Sequence, residues 1–337
     1  MPNYSTVRTP HPRRFDSSPR LCYSSILPAT ARTAPMASFL SIVTNIIAPI
    51  FIIVGLAALI DRHFKPDARA LSAIAVYLLS PCLVLDNIAT SSLQAEEVWQ
   101  IVAMALLSSL VMILLGVVIS RALGFERGLA TGFALTVGLL NTGNYGLPVS
   151  DFAFGKEGLQ RAVIFFIVSA VWTNTAGIFV ASRGTGSTRQ ALLNVFRGPL
   201  LYAMGLGFLL NLTGVGMPLP VARAVSLLSQ ATVPFMLIVM GLQLARTSVR
   251  GRVGPLALAV ATRLVVGPLI AIGLASLLGL TGLTRQVTIL QAAMPSGVMS
   301  GVLATLFGGD AEFVAATILL STLASIATLS VLLSVLM

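Results

Sequence analysis

From residue 38 onward the chain alternates between long apolar runs and short polar gaps. Ten runs follow one another, at 38–60, 69–90, 98–121, 128–154, 159–181, 196–214, 221–245, 254–279, 285–307 and 312–336. Each is about 20 residues long, the length that carries an α-helix across ~30 Å of hydrocarbon. The pattern predicts an all-α membrane protein with ten transmembrane helices. The gaps hold most of the charges, glycines and prolines, and the longest polar connection, 182–195, falls in the middle. The division that follows is a basic extension over 1–35, a five-helix unit over 36–181, a cytoplasmic linker over 182–195 and a second five-helix unit over 196–337.

Two runs are interrupted where a plain helix would be expected. In the fourth, Asn141, Gly143, Asn144 and Gly146 surround Thr142 and Tyr145 ahead of Pro148. In the ninth, Met294 is followed by Pro295, Ser296 and Gly297. Such segments unwind, because glycine favours no one backbone region and proline donates no amide hydrogen bond. In lipid an unpaired backbone group costs several kcal/mol, so broken helices persist only where protein or a water-lined cavity surrounds them. The second half-helices are expected to begin near Gly146 or Pro148 and near Ser296. Each start exposes up to four N–H groups and about half a positive charge, a setting for an anion and for a carboxylate in particular. Asn141 and Asn144 add amide donors and acceptors, and Ser296 caps its own half-helix or reaches the ligand.

The two halves carry matching punctuation. Pro49 and Gly55 correspond to Pro199 and Gly205, Pro81 to Pro234, and Phe154-Gly155 to Phe307-Gly308, at offsets of 150 to 153 residues. Five spans is an odd number, so the second copy enters the membrane from the opposite side. The expectation is an inverted repeat, the build of many secondary transporters, with broken helices 4 and 9 meeting near midplane. Pro49, Pro199 and Pro268 read more simply as kink or packing residues.

Composition agrees. The chain of 337 residues is 56% apolar and 9% charged, against roughly 25% charged in soluble domains. The net charge of +10 is therefore not read as nucleic-acid binding; Lys and Arg sit in short loops, as orientation signals do. One alternate set of loops holds Arg62, Lys65, Arg69, Arg121, Arg127, Arg183, Arg189, Arg197, Arg246, Arg250 and Arg252; the other holds only Lys156, Arg161, Arg223 and Arg285. The richer set is cytoplasmic, both termini are outside, and the protein is a multi-pass protein of the cell (inner) membrane. The arginines at 8, 13, 14, 20 and 32 would then lie on the wrong side. Three readings compete for 1–35: an Arg- and Ser-rich transit peptide, a twin-arginine signal at Arg13-Arg14 that lacks a prompt apolar region, and a disordered extension ahead of a working start at Met36.

Other polar residues at membrane depth each have two readings. Asp86 and Asp151 are candidates for proton coupling, or residues where spans meet the outer surface. Arg263 pairs with an acid inside the bundle or, as preferred, snorkels to the cytoplasmic face. Thr173, Asn174 and Gln243 are candidate lining residues, and Trp99 reads as an interface anchor. Cys22 and Cys82 sit in unlike surroundings and form no expected disulfide. No metal cluster, phosphate-cradling loop or cofactor motif occurs. The absence of histidine from the ten runs argues against an intramembrane enzyme. A cation antiporter would need carboxylates inside the breaks, which hold none.

The run from Asn141 to Pro148, with Gln291-Ala292-Ala293-Met294-Pro295-Ser296-Gly297-Val298 downstream, resembles the auxin efflux carrier family, its bacterial malonate-transporter-like branch in particular. The resemblance covers residue 36 to the end. It implies a fold similar to the bile-acid/sodium symporters and sodium/proton antiporters, with a scaffold part, a transport part and crossing helices 4 and 9. It implies a secondary carrier of small organic anions such as malonate or auxin-like acids, and a homodimer. Three driving forces stand open beside it: a coupling proton, through Asp86 or Asp151, a coupling sodium ion, or substrate gradient and membrane potential alone. The site would comprise Asn141, Gly143, Asn144, Tyr145, Gly146, Pro148, Pro295, Ser296 and Gly297, with Asn144, Pro148 and Pro295 at its core. Plant members have a proline between the two asparagines and a large central cytoplasmic loop; here Thr142-Gly143 and the short 182–195 segment stand instead.

Overall fold

The computed structural model describes residues 35–182, 196, 198–247 and 252–337. But for Pro35 and Ser182, the extension expected over 1–35 and the linker expected over 182–195 lie outside the described residues. Eleven helices carry the fold: α1 Phe39–Phe64, α2 Ala68–Ala89, α3 Ala95–Ala122, α4 Arg127–Gly138, α5 Thr142–Ala181, α6 Pro199–Thr213, α7 Leu219–Ala245, α8 Val253–Leu277, α9 Gly282–Ala292, α10 Val298–Phe307 and α11 Ala311–Leu336. Seven of them, α1, α2, α3, α5, α7, α8 and α11, are long and apolar enough to cross a membrane. Among the described residues the only other pairing is an isolated antiparallel bridge between Leu140 and Ser296.

The apolar runs at 128–154 and 285–307 are each split, into α4 with the start of α5 and into α9 with α10. The runs at 128–154 and 159–181, expected as separate spans, are joined in α5. Gly155 interrupts it with φ 62° and ψ −158°, a conformation open to glycine because it lacks a Cβ. Its expected counterpart Gly308 also has positive φ, at 70°.

The prolines shape the helices in a regular way. Wide turns, with N–H groups bonded five residues back, occupy Val43–Ile47, Ala75–Leu79, Thr142–Gly146 and Thr262–Val266. Each ends two residues before a proline, namely Pro49, Pro81, Pro148 and Pro268. A proline ring clashes with the carbonyl four residues back and offers that carbonyl no N–H; an extra residue in the turn relieves both. The Ser80 hydroxyl adds a 2.6 Å bond to the Ala75 carbonyl within one such turn. A fifth wide turn, Thr173–Gly177, has no proline behind it; there Asn174 Nδ2 donates to the Ala170 carbonyl at 2.8 Å.

Two packing groups result. Helices α1, α2, α6 and α7 pack on one another, while α3, α4, α5, α8, α9, α10 and α11 form the second group. Within the second, a methyl on Gly116 of α3 would sit 2.9 Å from the Ala134 backbone of α4, so small residues set how closely the two helices approach. The connections also sort into two ends. At one, Arg246 holds Asp61 at 2.6 Å and also the Pro66 carbonyl, Arg252 meets Glu126 at 3.1 Å, and the Asp310 N–H donates to Gly128 at 3.0 Å. The carboxylate of Asp61 pushes the Arg246 guanidinium above its ordinary pKa by hydrogen bonding. At the other end, Arg161 and Thr284 both reach Glu97, at 2.8 and 2.6 Å. There Asn211 also donates to Ser91 and Gln286 to Leu336, at 2.7 and 2.5 Å.

Candidate functional site

The two interruptions lie against each other. Helix α4 ends at Gly138; Leu139 and Leu140 are extended, and the chain re-enters helix at Thr142. Helix α9 ends at Ala292 and α10 begins at Val298, with Gly297 extended before it. The two short strands pair: Asn141 N–H donates to Pro295 at 2.9 Å, and Gly297 N–H donates to Leu139 at 2.9 Å. Buried backbone groups freed by unwinding are thus satisfied by the other break, which is what a low-dielectric interior demands. Ser296 completes the join. Its Oγ donates to the Thr136 carbonyl at 2.8 Å, and its N–H donates to Ser321 Oγ at 3.3 Å.

The first helix restart therefore comes earlier than the sequence suggested. Thr142, Gly143, Asn144, Tyr145 and Gly146 form the wide first turn of α5, and Pro148 lies in the regular helix behind it. Gly146 N–H bonds back to the Asn141 carbonyl at 2.9 Å. The second break is buried throughout from Met294 to Gly297, whereas Gly143 and Asn144 are half-buried. Asn141 is buried, with Nδ2 3.8 Å from Met240 Sδ of α7. Tyr145 is fully buried, edge-on to Phe51 of α1, and its hydroxyl accepts from Ser325 at 3.2 Å. Gly146 faces the Gln291 amide; Gln291 Nε2 donates to Ser150 at 3.0 Å and its buried Oε1 has no partner among the described residues.

Arg263 corrects the sequence reading. Instead of reaching the membrane surface it is fully buried, in the wide turn of α8. Its Nε donates to Met294 at 2.9 Å, Nη1 to Val137 at 3.0 Å and Nη2 to Ala292. The Val137 and Ala292 carbonyls belong to the C-terminal ends of α4 and α9, and the Met294 carbonyl to the break just beyond α9. Helix ends carry about −0.5 charge each, so two of them together offset one guanidinium. The hint in the sequence was a lone arginine inside an apolar run, where a charge is costly unless partnered. What remained illegible was that its partners are main-chain carbonyls, which no residue pattern marks.

Asp86 and Asp151 do not touch the crossover. Both line a cleft of about 510 Å³ with Asn87, Lys156, Gln230 and Pro234, between the two helix groups. A second cleft, of about 470 Å³, is lined by Arg69, Thr247, Val298, Gly301 and Thr305. The first lies toward the Glu97–Arg161 end and the second toward the Asp61–Arg246 end. Of the expected lining residues, Gln243 Nε2 lies 3.5 Å from Ser72 Oγ, and Thr173 is buried.

Among the described residues the chain is all-helical, with seven helices long and apolar enough to cross a membrane and two helix breaks paired with each other, the make-up of an integral membrane protein. Comparison with known proteins agrees: the chain belongs to the membrane transport protein family, whose model matches residues 42–189 and 185–333. It is a transporter and not an enzyme. It is 28% identical over 267 residues to an uncharacterized transporter of Methanothermobacter thermautotrophicus, covering 79% of this chain and 88% of that one. It is 28% identical over 285 residues to an uncharacterized transporter of Methanocaldococcus jannaschii, covering 82% and 92%. A Rhizobium meliloti protein named "Putative malonate transporter" is 25% identical over 303 residues, covering 86% and 94%.

Proposed function

We propose that the protein is a secondary carrier that moves small carboxylates, malonate among them, across the cell membrane by alternating access. It would do so through ten crossings arranged as two inverted five-helix repeats. The observation that carries this reading is the imbalance of charge at the crossover. Arg263 offsets the C-terminal ends of α4 and α9, while the starts at Thr142 and Val298 have no Asp or Glu within residues 128–150 or 282–307. Two helix starts leave about one positive charge in total, the complement of a carboxylate. Asn144, half-buried and with a side chain that has no hydrogen-bond partner among the described residues, offers the amide that would hold it. Gly143, Tyr145, Gly146 and Pro148 shape that wall; Asn141, Pro295, Ser296 and Gly297 hold the crossover against it. The sorting of connections into two ends, the paired positive-φ glycines and the two packing groups support the repeat and a division into scaffold (α1, α2, α6, α7) and transport part. The malonate assignment draws on the name of the Rhizobium relative.

Replacing Asn144 by Ala in proteoliposomes is the direct test. Malonate counterflow should fall roughly tenfold or more, a loss of ~1.4 kcal/mol or more in binding, while insertion and melting temperature are retained. Unchanged counterflow would remove Asn144 from the site. A second reading concerns the driving force. Asp86 and Asp151 share the outer cleft with one lysine, which favours a proton as the coupling ion. An imposed pH step should then drive uptake in the wild type and fail to do so in Asp151→Asn; equal responses would leave membrane potential and substrate gradient as the drive.

A further inference from the structure

The crossover has a built cation position, and it is filled from within. The carbonyls of Val137, Ala292 and Met294 line one position beside the C-terminal ends of α4 and α9, each accepting from a different nitrogen of one guanidinium. Carbonyls at half-helix ends are the donor set that holds a monovalent cation in membrane carriers. Here that position holds the guanidinium of Arg263, and none of the ion pairs among the described residues gives it a carboxylate. Two features of α8 deliver it. The wide turn Thr262–Val266 ahead of Pro268 carries Arg263, and Gly267 leaves room beside it, since even a Cβ there would lie 3.4 Å from Nη2.

We propose that Arg263 is a tethered counter-cation that replaces a coupling sodium at the crossover, so that transport runs without sodium and loss of the side chain opens a site for a small cation. The inference rests on the crossover being the transport site, and it narrows the coupling ions open to that site. A guanidinium is always charged and presents a rigid fork of donors. It therefore holds both helix ends throughout the cycle, where an exchangeable ion would bind and leave.

The test has two readouts. In proteoliposomes, wild-type malonate counterflow should be equal in sodium, potassium and choline media. In detergent, the wild-type melting temperature should not respond to sodium or methylguanidinium. Arg263→Ala should melt lower, and methylguanidinium or sodium should restore most of the loss, because a ligand that binds only the folded state stabilises it. If that variant cannot be isolated, Arg263→Gln and Arg263→Lys are read instead. The neutral variant should be stabilised by added cation, and the lysine variant should melt nearer the wild type and respond less. A sodium requirement in the wild type, the absence of cation response in the neutral variants, or identical behaviour of Gln and Lys would each overturn the proposal. Should malonate not be carried at all, the melting experiment still decides about Arg263, and the failure falls on the substrate assignment alone.

Discussion

At the residue scale the crossover is held by atoms too close for any side chain. A Cβ on Gly297 would sit 2.6 Å from the Leu140 carbonyl oxygen and 2.8 Å from its carbon. Gly297→Ala must therefore push the two strands apart and weaken the bonds from Asn141 N–H to Pro295 and from Gly297 N–H to Leu139. Overpacking of this kind costs about 1–3 kcal/mol, so the variant should melt lower and lose counterflow together. Gly205 in α6 has nothing within 4 Å of its Cβ position, and Gly205→Ala, which gains up to about 1 kcal/mol of helix propensity, should leave both unchanged or improved. Equal damage from the two substitutions would mean that glycine content, and not contact at the crossover, governs stability. The sequence sets Gly297 apart by the Pro295-Ser296 ahead of it, but shows nothing of what a side chain there would strike. Which glycine is indispensable depends on a strand 157 residues away in number, between Leu140 and Gly297, and local pattern carries no such information.

At the element scale the prolines were legible as interruptions, but their consequence was not. Propensity says that a proline ends or bends a helix; the structure absorbs four of them by widening the turn before. A wide turn inserts one residue, which rotates everything upstream by about 100° relative to a regular helix. For α5 this matters because the turn contains Gly143 and Asn144, the residues of the first break that remain half-buried. Pro148→Ala removes the clash that favours the wide turn. A return to regular pitch would turn Asn144 away from its present direction, so counterflow should drop while the melting temperature changes little. If a spin label or cysteine at Gly143 keeps its accessibility in that variant, the turn is fixed by its tertiary partners, of which Tyr145–Ser325 at 3.2 Å is one, and not by the proline. The positions of the two breaks, to within a few residues, could be read from Asn, Gly and Pro clustered in apolar sequence. The pairing of the breaks by main-chain hydrogen bonds could not, because any residue supplies the same N–H and C=O.

At the scale of the whole molecule, two clefts lie toward opposite ends of the helices, with the largely buried join of the two breaks between them. The apolar runs were enough to foresee a polytopic helical protein, since run length is a local count; the loop charges predict an orientation in the same local way. A division into a scaffold and a transport part was expected from the family resemblance alone; which helices fall into each packing group was not legible in the runs, as all are similarly apolar and sequence records no partner choice. The orientation and the clefts can be tested in one experiment. With Cys82 and Cys22 replaced, Phe152→Cys reports on the cleft that holds Asp86 and Asp151, and Thr305→Cys on the cleft beside Val298. Because the lysine- and arginine-rich connections include those around Arg62, Lys65, Arg246 and Arg252, the second cleft should face the cytoplasm. A membrane-impermeant maleimide should then label Phe152→Cys on intact cells and Thr305→Cys only after the membrane is opened; the reverse pattern would invert the topology. Added malonate should change the two labelling rates in opposite directions, since a ligand shifts a two-state carrier only by preferring one state. Rates that both stay constant while counterflow proceeds would disconnect these clefts from the transport path and leave the crossover as a structural clasp alone.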